Sequence, residues 1–273
     1  MNPHHPDGPP PGMSRRAWRE QQAAAATAPS PASPAHATPA PATPAPLDAA
    51  PREAAPVEPP RHGPLDALLG QPADDAPRGL TILTVCTGNI CRSPLAEVML
   101  RQRLEPLGVR VHSAGTHALV GHGMPEQALE LAAQAGVTSS LATAHQARYL
   151  VEPYLADADL VLTMAREHRS HAVKMMPSIL RRTFTVREFA RLAATLSDAD
   201  ARAAAEAAGS SPAERFAAVL RALNDQRGLT AAPPEDDDVV DPYRRSRDTY
   251  ALSASQLTPA LAEVERIVRD AIA

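Results

Sequence analysis

Proline is concentrated at one end of this chain, and its distribution limits where a folded domain can form. Nineteen of the 29 prolines lie within residues 1–79, with alanine filling much of the space between them. Proline removes backbone hydrogen-bond donors and resists helix formation, and few large apolar side chains are present here to offset the entropy cost of ordering. The sequence therefore predicts a disordered Pro/Ala-rich tail over residues 1–78. Two short segments of this tail, 14–26 and 65–69, could be locally ordered. The favoured interpretation is a spacer with transient helix, and binding of a protein partner is the alternative.

Charge and cysteine content exclude several classes of protein. The 273 residues include 27 basic and 31 acidic side chains, and a net charge of −4 does not suggest a nucleic-acid-binding protein. Two cysteines cannot form a disulfide-rich scaffold. No stretch approaches about 18 consecutive apolar residues, so no membrane insertion is predicted. The N-terminus also lacks the apolar core of a secretory signal, and we therefore expect a cytoplasmic protein.

Beyond the tail, strand-like and helix-like segments alternate. Uncharged runs of β-branched and apolar residues predict strands at 80–85, 109–113, 160–164 and 183–186. Amphipathic segments predict helices at 93–105, 124–135, 166–176 and 249–273, the last with a break before Pro259. This alternation predicts an α/β fold, with a four-stranded parallel sheet and helices on both faces, over a domain at 79–273.

Two segments depart from this alternation. Residues 187–234 are rich in alanine and are predicted to form a helical excursion attached to the same core. Residues 235–238 form an acidic run, which is predicted to be a solvated loop.

The loop between the first strand and the first helix carries the candidate chemistry, with the sequence VCTGNICRSP at 85–94. A loop at this edge of a parallel sheet, next to a helix N-terminus, turns backbone N–H groups toward an anion. Gly88 permits backbone conformations that other residues resist, and Arg92 can hold two phosphate oxygens with its planar guanidinium group. These groups would stabilise a thiolate at Cys86, which points to nucleophilic attack at phosphorus. Ser93 could donate a hydrogen bond to the sulfur.

This loop resembles, almost letter for letter, the signature loop of the low-molecular-weight protein tyrosine phosphatases. The resemblance covers roughly residues 80–273 apart from the helical excursion. The family has a second fixed element, Asp-Pro-Tyr, which is found here at residues 241–243. The resemblance implies that Asp241 protonates the leaving oxygen and later activates water, a type of proton transfer worth about 10²–10⁴ in rate.

The resemblance implies a cysteine-dependent phosphatase that hydrolyses phosphotyrosine in proteins through a cysteinyl-phosphate intermediate, without a metal or cofactor. The catalytic residues would be Cys86, Arg92 and Asp241. The remaining residues of the phosphate-binding loop would be Thr87, Gly88, Asn89, Ile90, Cys91 and Ser93.

Further residues match elements that support the loop in the family. Ser113 corresponds to the residue that hydrogen-bonds the loop asparagine, here Asn89. His145 lies in a His-Gln-Ala-Arg segment similar to the one whose histidine joins that network. Together these contacts would hold the loop ready for phosphate.

The substrate pocket departs from the family at one wall. An aromatic residue that stacks on phosphotyrosine is common where this chain has Leu119, which leaves Tyr243 as the remaining aromatic wall. Relatives specific for phosphoarginine carry Thr at the position of Ile90, so isoleucine favours an aryl phosphate. Cys91 corresponds to a thiol that can trap the oxidised nucleophile as a disulfide.

Two other functions remain compatible with the loop. The first is an arsenate reductase on the same fold. The first step of its cycle resembles that of the phosphatase, but the later steps need further cysteines downstream to relay a disulfide. This sequence has only Cys86 and Cys91. The second is a module that binds phosphorylated partners without turnover. The Asp-Pro-Tyr element favours the phosphatase over both.

Overall fold

The computed structural model describes residues 79–230 and 232–273. The predicted tail, with its two candidate binding segments and its partner, lies outside the described residues. Four strands are present within the described ranges: β1 Thr81–Cys86, β2 Arg110–Gly115, β3 Leu160–Thr163 and β4 Thr183–Thr185. All pairings are parallel, and the strand order is β2-β1-β3-β4. The predicted four-stranded parallel sheet is confirmed.

The described residues form helices between and after these strands. They are α1 Arg92–Leu104, α2 Glu126–Gln134, α3 Ser139–Thr143, α4 Glu152–Asp157, α5 Arg166–Met175, α6 Val186–Ala193, α7 Asp198–Glu206, α8 Pro212–Gln226 and α9 Arg247–Ile272. Short 3-10 turns occur at Glu105–Leu107, Pro177–Arg182 and Pro234–Asp237. Within these ranges, no helix combines the length and apolar character needed to cross a membrane.

Side chains of β1 enter two separate hydrophobic cores. Ile82 and Cys86 belong to the larger core, which contains side chains of α1, α2, α6, α8 and α9. Leu83 and Val85 belong to the smaller core, which contains side chains of α4 and α5. Burial on both sides explains why β1 carries no charged residue. The prediction of helices on both faces of the sheet is therefore confirmed.

The last strand is shorter than predicted. Val186 is the first residue of α6 rather than part of β4. The preceding Thr185 caps the helix: its hydroxyl accepts a hydrogen bond from Glu188 N, and the Glu188 carboxylate accepts one from Thr185 N. This reciprocal cap starts the helix at a β-branched residue that would otherwise favour a strand.

The alanine-rich segment folds into three helices, α6 to α8, that pack on the larger core. Ser197 and Ser211 cap α7 and α8 through hydrogen bonds from the backbone of the first turn. Phe189 of α6 and Phe216 of α8 are almost completely buried. Their apolar faces therefore form part of the core rather than a solvated appendage.

The C-terminal helix is continuous, and the predicted break before Pro259 is wrong. α9 begins at Arg247 after the capping residue Ser246 and passes through Pro259. A proline inside a helix costs about 3 kcal/mol. Burial of one face of α9 offsets this cost, since apolar side chains on both sides of the proline, such as Leu257 and Leu261, are fully buried.

Candidate functional site

The loop between β1 and α1 turns its carbonyl groups outward. The carbonyl oxygens of Thr87 and Gly88 accept hydrogen bonds from the backbone N–H groups of His117 and Leu119, at 2.9 and 3.0 Å. The backbone N–H groups of residues 88–91 have no acceptor within the described part of the chain. Gly115 allows this packing, because a Cβ there would lie 2.5 Å from the Thr87 oxygen. The loop thus combines occupied carbonyls with free N–H donors, an arrangement suited to an anion.

Asn89 organises the loop from a left-handed backbone conformation, with φ of 53°. Its side-chain amide donates to Ser93 Oγ at 3.0 Å and to Ser113 Oγ at 2.7 Å, and its amide oxygen accepts from Arg148 N at 2.9 Å. His145 Nε2 lies 2.8 Å from the Asn89 carbonyl oxygen. A buried side chain with three hydrogen bonds offsets the cost of the unusual φ.

Glu97 of α1 lies behind this network. Its buried carboxylate accepts a hydrogen bond from Ser113 Oγ at 2.5 Å, and His145 Nδ1 lies 3.3 Å away. Burial alone would raise the pKa of Glu97, but His145 and Ser113 together hold the pKa below its ordinary value. The carboxylate therefore remains charged and orients the hydroxyl of Ser113.

Removing the Asn89 side chain tests whether this network supports the loop. We expect Asn89→Gly to lower the free energy of unfolding by about 2–4 kcal/mol, because hydrogen-bond partners in a buried site lose their contacts. Asn89→Ala should lose about 1 kcal/mol more, since alanine also resists positive φ. Chemical denaturation measures both values. A Gly variant as stable as the parent would contradict the supporting role of the network.

Cys86 and Ser93 meet at the floor of the loop. Cys86 Sγ lies 3.0 Å from Ser93 Oγ, and the thiol is only 2% exposed. Helix α1 begins at Arg92, so its N-terminus faces the same point. The positive end of the helix dipole, the free N–H groups and the serine hydroxyl all favour negative charge at this position.

Cys91, the second cysteine, has a different environment. Its Sγ lies 3.5 Å from the Tyr250 hydroxyl, and both cysteines are free thiols. Burial raises the pKa of Cys91 to about 11, which the hydrogen bond to Tyr250 only partly counteracts. Cys91 is therefore a neutral thiol near pH 7 and a poor nucleophile.

Arg92 connects the loop to the Asp-Pro-Tyr segment. Its guanidinium group is almost fully buried and donates to Asp241 Oδ2 at 2.7 Å and to the Val239 carbonyl oxygen at 3.1 Å. The side chain of Asp241 is half exposed, and its Oδ1 accepts from Tyr243 N at 3.1 Å. Residues almost 150 positions apart in sequence thus meet above Cys86.

The acidic run before Asp241 is anchored to the fold, so the prediction of a solvated loop is wrong for two of its members. Asp237 forms an ion pair with Arg191 of α6 at 2.8 Å. Asp238 accepts hydrogen bonds from the backbone and side chain of Arg166 at the start of α5. These contacts fix the segment that carries Asp241 over the loop, because charge-assisted hydrogen bonds hold it at several points.

A small cavity of about 150 Å³ lies over the loop. Leu119 and Tyr243, the two predicted wall residues, both line it, together with His117. The remaining lining residues are Cys86, Thr87, Gly88, Ile90, Cys91, Arg92 and Asp241. Asn89 and Ser93 belong to the loop but do not line the cavity, and Ser113 and His145 contact Asn89 from behind the loop.

A sequence model of the low molecular weight phosphotyrosine protein phosphatases matches residues 81–227, more than half of the chain. The chain belongs to this family. The matched segment contains Cys86 and Arg92 and ends before Asp241.

Individual relatives cover smaller parts of the chain. The low molecular weight protein-tyrosine-phosphatase Etp of Escherichia coli K12 is 42% identical over 103 residues, 38% of this chain and 66% of Etp. The probable low molecular weight protein-tyrosine-phosphatase EpsP of Ralstonia solanacearum is 43% identical over 98 residues, 36% of this chain and 64% of EpsP. The chain therefore matches slightly less than two thirds of the length of these relatives. Among solved structures, a mutant of YwlE from Bacillus subtilis is 23% identical, with a TM-score of 0.48, over 70% of this chain and 99% of YwlE.

Several residues around the site of this family member were not predicted from sequence. Glu97 could have been found, because it lies four residues after Ser93 and so shares a face of α1. His168 of α5 has no comparable local signal, yet its Nε2 lies 2.8 Å from Thr87 Oγ1 in the loop. Burial, followed by the charge of Arg92, lowers the pKa of His168 to about 3. This histidine is therefore neutral near pH 7 and contacts the loop without adding charge.

The depressed pKa of His168 predicts a loss of stability in acid. A histidine in the unfolded chain has a pKa near 6.5, whereas His168 in the native state stays neutral down to about pH 3. The native state therefore has its full stability above pH 6.5. It loses stability as the pH falls toward 3, because the unfolded chain binds a proton that the native state does not. Between pH 7.5 and pH 5 we expect the free energy of unfolding to fall by about 2 kcal/mol from this group alone. Denaturation of the parent and of His168→Gln at both pH values isolates the effect. Equal pH dependence in the two proteins would show that His168 is not the cause.

Proposed function

We propose that this chain is a cysteine-dependent phosphatase that hydrolyses phosphotyrosine in proteins through a cysteinyl-phosphate intermediate. The observation that carries the proposal is the convergence of Cys86, Arg92 and Asp241 on one cavity whose loop presents free N–H groups. A nucleophile, an anion cradle and a carboxyl group are the three parts that this chemistry needs. Membership of the phosphatase family supports the same activity.

In the first step, the Cys86 thiolate attacks phosphorus in line with the leaving oxygen. The S–P bond forms as the P–O bond breaks, and Asp241 donates a proton to the departing phenolate. The loop N–H groups and Arg92 hold the three other phosphate oxygens and stabilise the charge that is spread over them in the transition state.

In the second step, water attacks the cysteinyl phosphate while the Asp241 carboxylate accepts its proton. The S–P bond breaks, and inorganic phosphate and the Cys86 thiolate are released. Ser93 Oγ, 3.0 Å from the sulfur, can donate a hydrogen bond to the leaving thiolate. This contact lowers the energy of a charge that appears only as the bond breaks.

Arg92 has to exchange partners during the cycle. In the structure its guanidinium group donates to Asp241 and to the Val239 carbonyl oxygen. A phosphate dianion in the loop offers the guanidinium group two oxygens in the bidentate geometry that it prefers. The exchange would release the Asp241 carboxyl group toward the leaving oxygen.

The cavity walls support an aryl phosphate as substrate. Leu119 and Tyr243 line the cavity and offer apolar and aromatic contact to a phenyl ring. Tyr243 is 37% exposed, so it remains accessible to a phosphotyrosine side chain presented by another protein. The relatives Etp and EpsP carry names of protein-tyrosine-phosphatases, which supports the same substrate class.

Hydrolysis assays with three substrates test this function. With EDTA present, the full chain is expected to hydrolyse p-nitrophenyl phosphate and a phosphotyrosine peptide, and to leave the matched phosphoserine peptide largely intact. Turnover of p-nitrophenyl phosphate alone would retain the chemistry but exclude phosphotyrosine. Turnover of neither substrate by folded, reduced protein would exclude the phosphatase and favour phosphate binding or arsenate reduction.

A further inference from the structure

His168 and Thr87 form a contact to which the proposed mechanism assigns no role. His168 is a residue of α5 that is only 1% exposed, and its Nε2 lies 2.8 Å from the hydroxyl oxygen of Thr87. Thr87 follows the nucleophile Cys86 directly and lines the cavity over the loop. Only one of the two atoms in this contact can donate the hydrogen, and which of them does so decides what the Thr87 hydroxyl can offer to a ligand.

The imidazole ring of His168 carries a single N–H group. Burial and the charge of Arg92 lower its pKa to about 3, so the ring is neutral near pH 7 and has one donor and one acceptor nitrogen. The surroundings of the two nitrogens differ. Nδ1 is buried and has no hydrogen-bond partner among the described residues. Nε2 faces the Thr87 hydroxyl and also lies 3.4 Å from the carboxylate oxygen Oε1 of Glu167.

These surroundings place the hydrogen of His168 on Nε2. An N–H group at Nδ1 would be buried without an acceptor, and proteins rarely leave a buried donor unpaired, because its lost hydration is then not compensated. The carboxylate of Glu167 near Nε2 favours the hydrogen at that nitrogen as well. His168 therefore donates to Thr87 Oγ1, and its Nδ1 keeps only a lone pair.

Donation from His168 leaves the hydroxyl hydrogen of Thr87 without an acceptor. A threonine hydroxyl has one hydrogen to donate, and Thr87 Oγ1 has no partner other than His168 within the described part of the chain. The backbone N–H groups of residues 88–91, next along the same loop, also have no acceptor there. An oxyanion bound in the loop would supply acceptors for all of these donors.

We propose that the Thr87 side chain is a phosphate-binding donor and that His168 is the residue that positions it. The Nε2–H group of His168 occupies a lone pair of Thr87 Oγ1 and thereby turns the hydroxyl hydrogen toward an oxygen of the phosphoryl group in the loop. Phosphate would thus be held by one side-chain hydroxyl in addition to the backbone N–H groups and Arg92. The inference rests on the proposed function, because it requires a phosphate ester in the cavity.

Nuclear magnetic resonance of the full chain, with its histidines isotopically labelled at nitrogen, tests the first step. Couplings between ring nitrogens and ring hydrogens report which nitrogen of a neutral imidazole is protonated. We expect the hydrogen of His168 on Nε2 near pH 7, and the signals missing from His168→Gln identify this ring. A hydrogen on Nδ1 would overturn the proposal, because Nε2 could then only accept from Thr87, and the hydroxyl hydrogen would already be used.

Calorimetry with inorganic phosphate tests the second step. We expect Thr87→Val, which keeps the shape of the side chain but removes its hydroxyl, to weaken phosphate binding by about tenfold, since a hydrogen bond to a charged oxygen is lost. Thr87→Ser should retain most of the affinity. The matched control is Thr116→Val, because the Thr116 hydroxyl also lies near a histidine nitrogen, 3.2 Å from His117 Nδ1, but Thr116 does not line the cavity. This control should bind phosphate like the parent.

Variants of His168 separate positioning from general structural support. His168→Phe keeps a buried ring but cannot donate to Thr87, so phosphate affinity should fall by about threefold. His168→Gln keeps an amide donor at a similar reach and should bind phosphate like the parent. In the Thr87→Val background, His168→Phe should cause no further loss, because no hydroxyl is left to position.

The opposite results are equally specific. Equal phosphate affinity of the parent and Thr87→Val would overturn the proposal, as would an equal loss in Thr116→Val or an additive loss in the double variant. A parent that binds no phosphate would overturn the proposed function and this inference together. Parent-like binding and turnover by Thr87→Val would overturn this inference alone. If Thr87→Val does not fold, Thr87→Ala removes the same hydroxyl and should weaken binding in the same direction.

Discussion

Replacing Cys86 with Ser is expected to abolish hydrolysis of p-nitrophenyl phosphate while phosphate binding survives. A serine hydroxyl stays protonated near neutral pH and cannot replace a thiolate as nucleophile, so the rate should fall by roughly 10⁴-fold or more. The phosphate-binding arrangement of the loop should persist, because the positions of the loop N–H groups and of Arg92 do not depend on the sulfur atom. Turnover assays measure the first effect, and calorimetry with inorganic phosphate measures the second.

The matched control for this experiment is Cys91→Ser. Cys91 is five residues away in the same loop, but burial holds its pKa near 11, and its Sγ faces the Tyr250 hydroxyl. Serine keeps a hydroxyl group for Tyr250, so we expect most of the rate to remain. Activity in the Cys86 variant, or equal loss in both variants, would contradict the assignment of Cys86 as nucleophile. Loss of phosphate binding together with a lowered melting temperature would show that the Cys86 variant failed to fold.

The parts of this site that are local in sequence could be predicted from sequence. The β1 strand is recognisable because burial on both of its faces requires an uncharged apolar run. The loop follows at once, and its cysteine, glycine and arginine stand within seven residues. In this short segment the order of the residues, their types and the chemistry that they imply all indicate the same site. Most of the site could therefore be predicted from this segment alone.

The supporting contacts come from distant parts of the chain and carry no local signal. Thr87 contacts His168, 81 residues later, and Cys91 contacts Tyr250, 159 residues later. Their pairing depends on how α5 and α9 pack on the sheet, which periodicity alone does not fix. The local pattern predicts a solvated loop for the acidic run at 235–238 for the same reason: its partners Arg166 and Arg191 lie on other helices.

The predicted helices differ from the observed ones where tertiary packing overrides the local sequence preference. The pattern did not predict α3 and α4, since helices of five and six residues present too few turns for a recognisable period. Pro259 predicted a break, but the buried face of α9 outweighs the lost hydrogen bond. In both cases, contacts with the rest of the core decide the conformation.

Replacing Asp241 with Asn is expected to slow hydrolysis of poor leaving groups by about 10²–10⁴-fold. An amide cannot donate a proton to a departing phenolate, whereas p-nitrophenolate needs that proton less. The loss should therefore be larger for phenyl phosphate and phosphotyrosine peptide than for p-nitrophenyl phosphate. Asparagine keeps one oxygen, which can accept from either Arg92 or Tyr243 N, and Arg92 still donates to the Val239 carbonyl oxygen, so the segment should hold its place. Steady-state and burst kinetics on the three esters measure the effect.

Asp236→Asn is the matched control, because Asp236 lies in the same acidic segment and its exposed side chain does not line the phosphate cavity. Removing one negative charge at that position should leave the rates almost unchanged. If both variants lost activity equally, the effect of Asp241 would come from general electrostatics rather than proton transfer. If Asp241→Asn lost the same factor in kcat/KM on all three esters, its role in the first step would be to position Arg92, with which it forms an ion pair at 2.7 Å. Only a loss that grows as the leaving group becomes more basic identifies Asp241 as the proton donor, because only that step depends on the basicity of the departing oxygen.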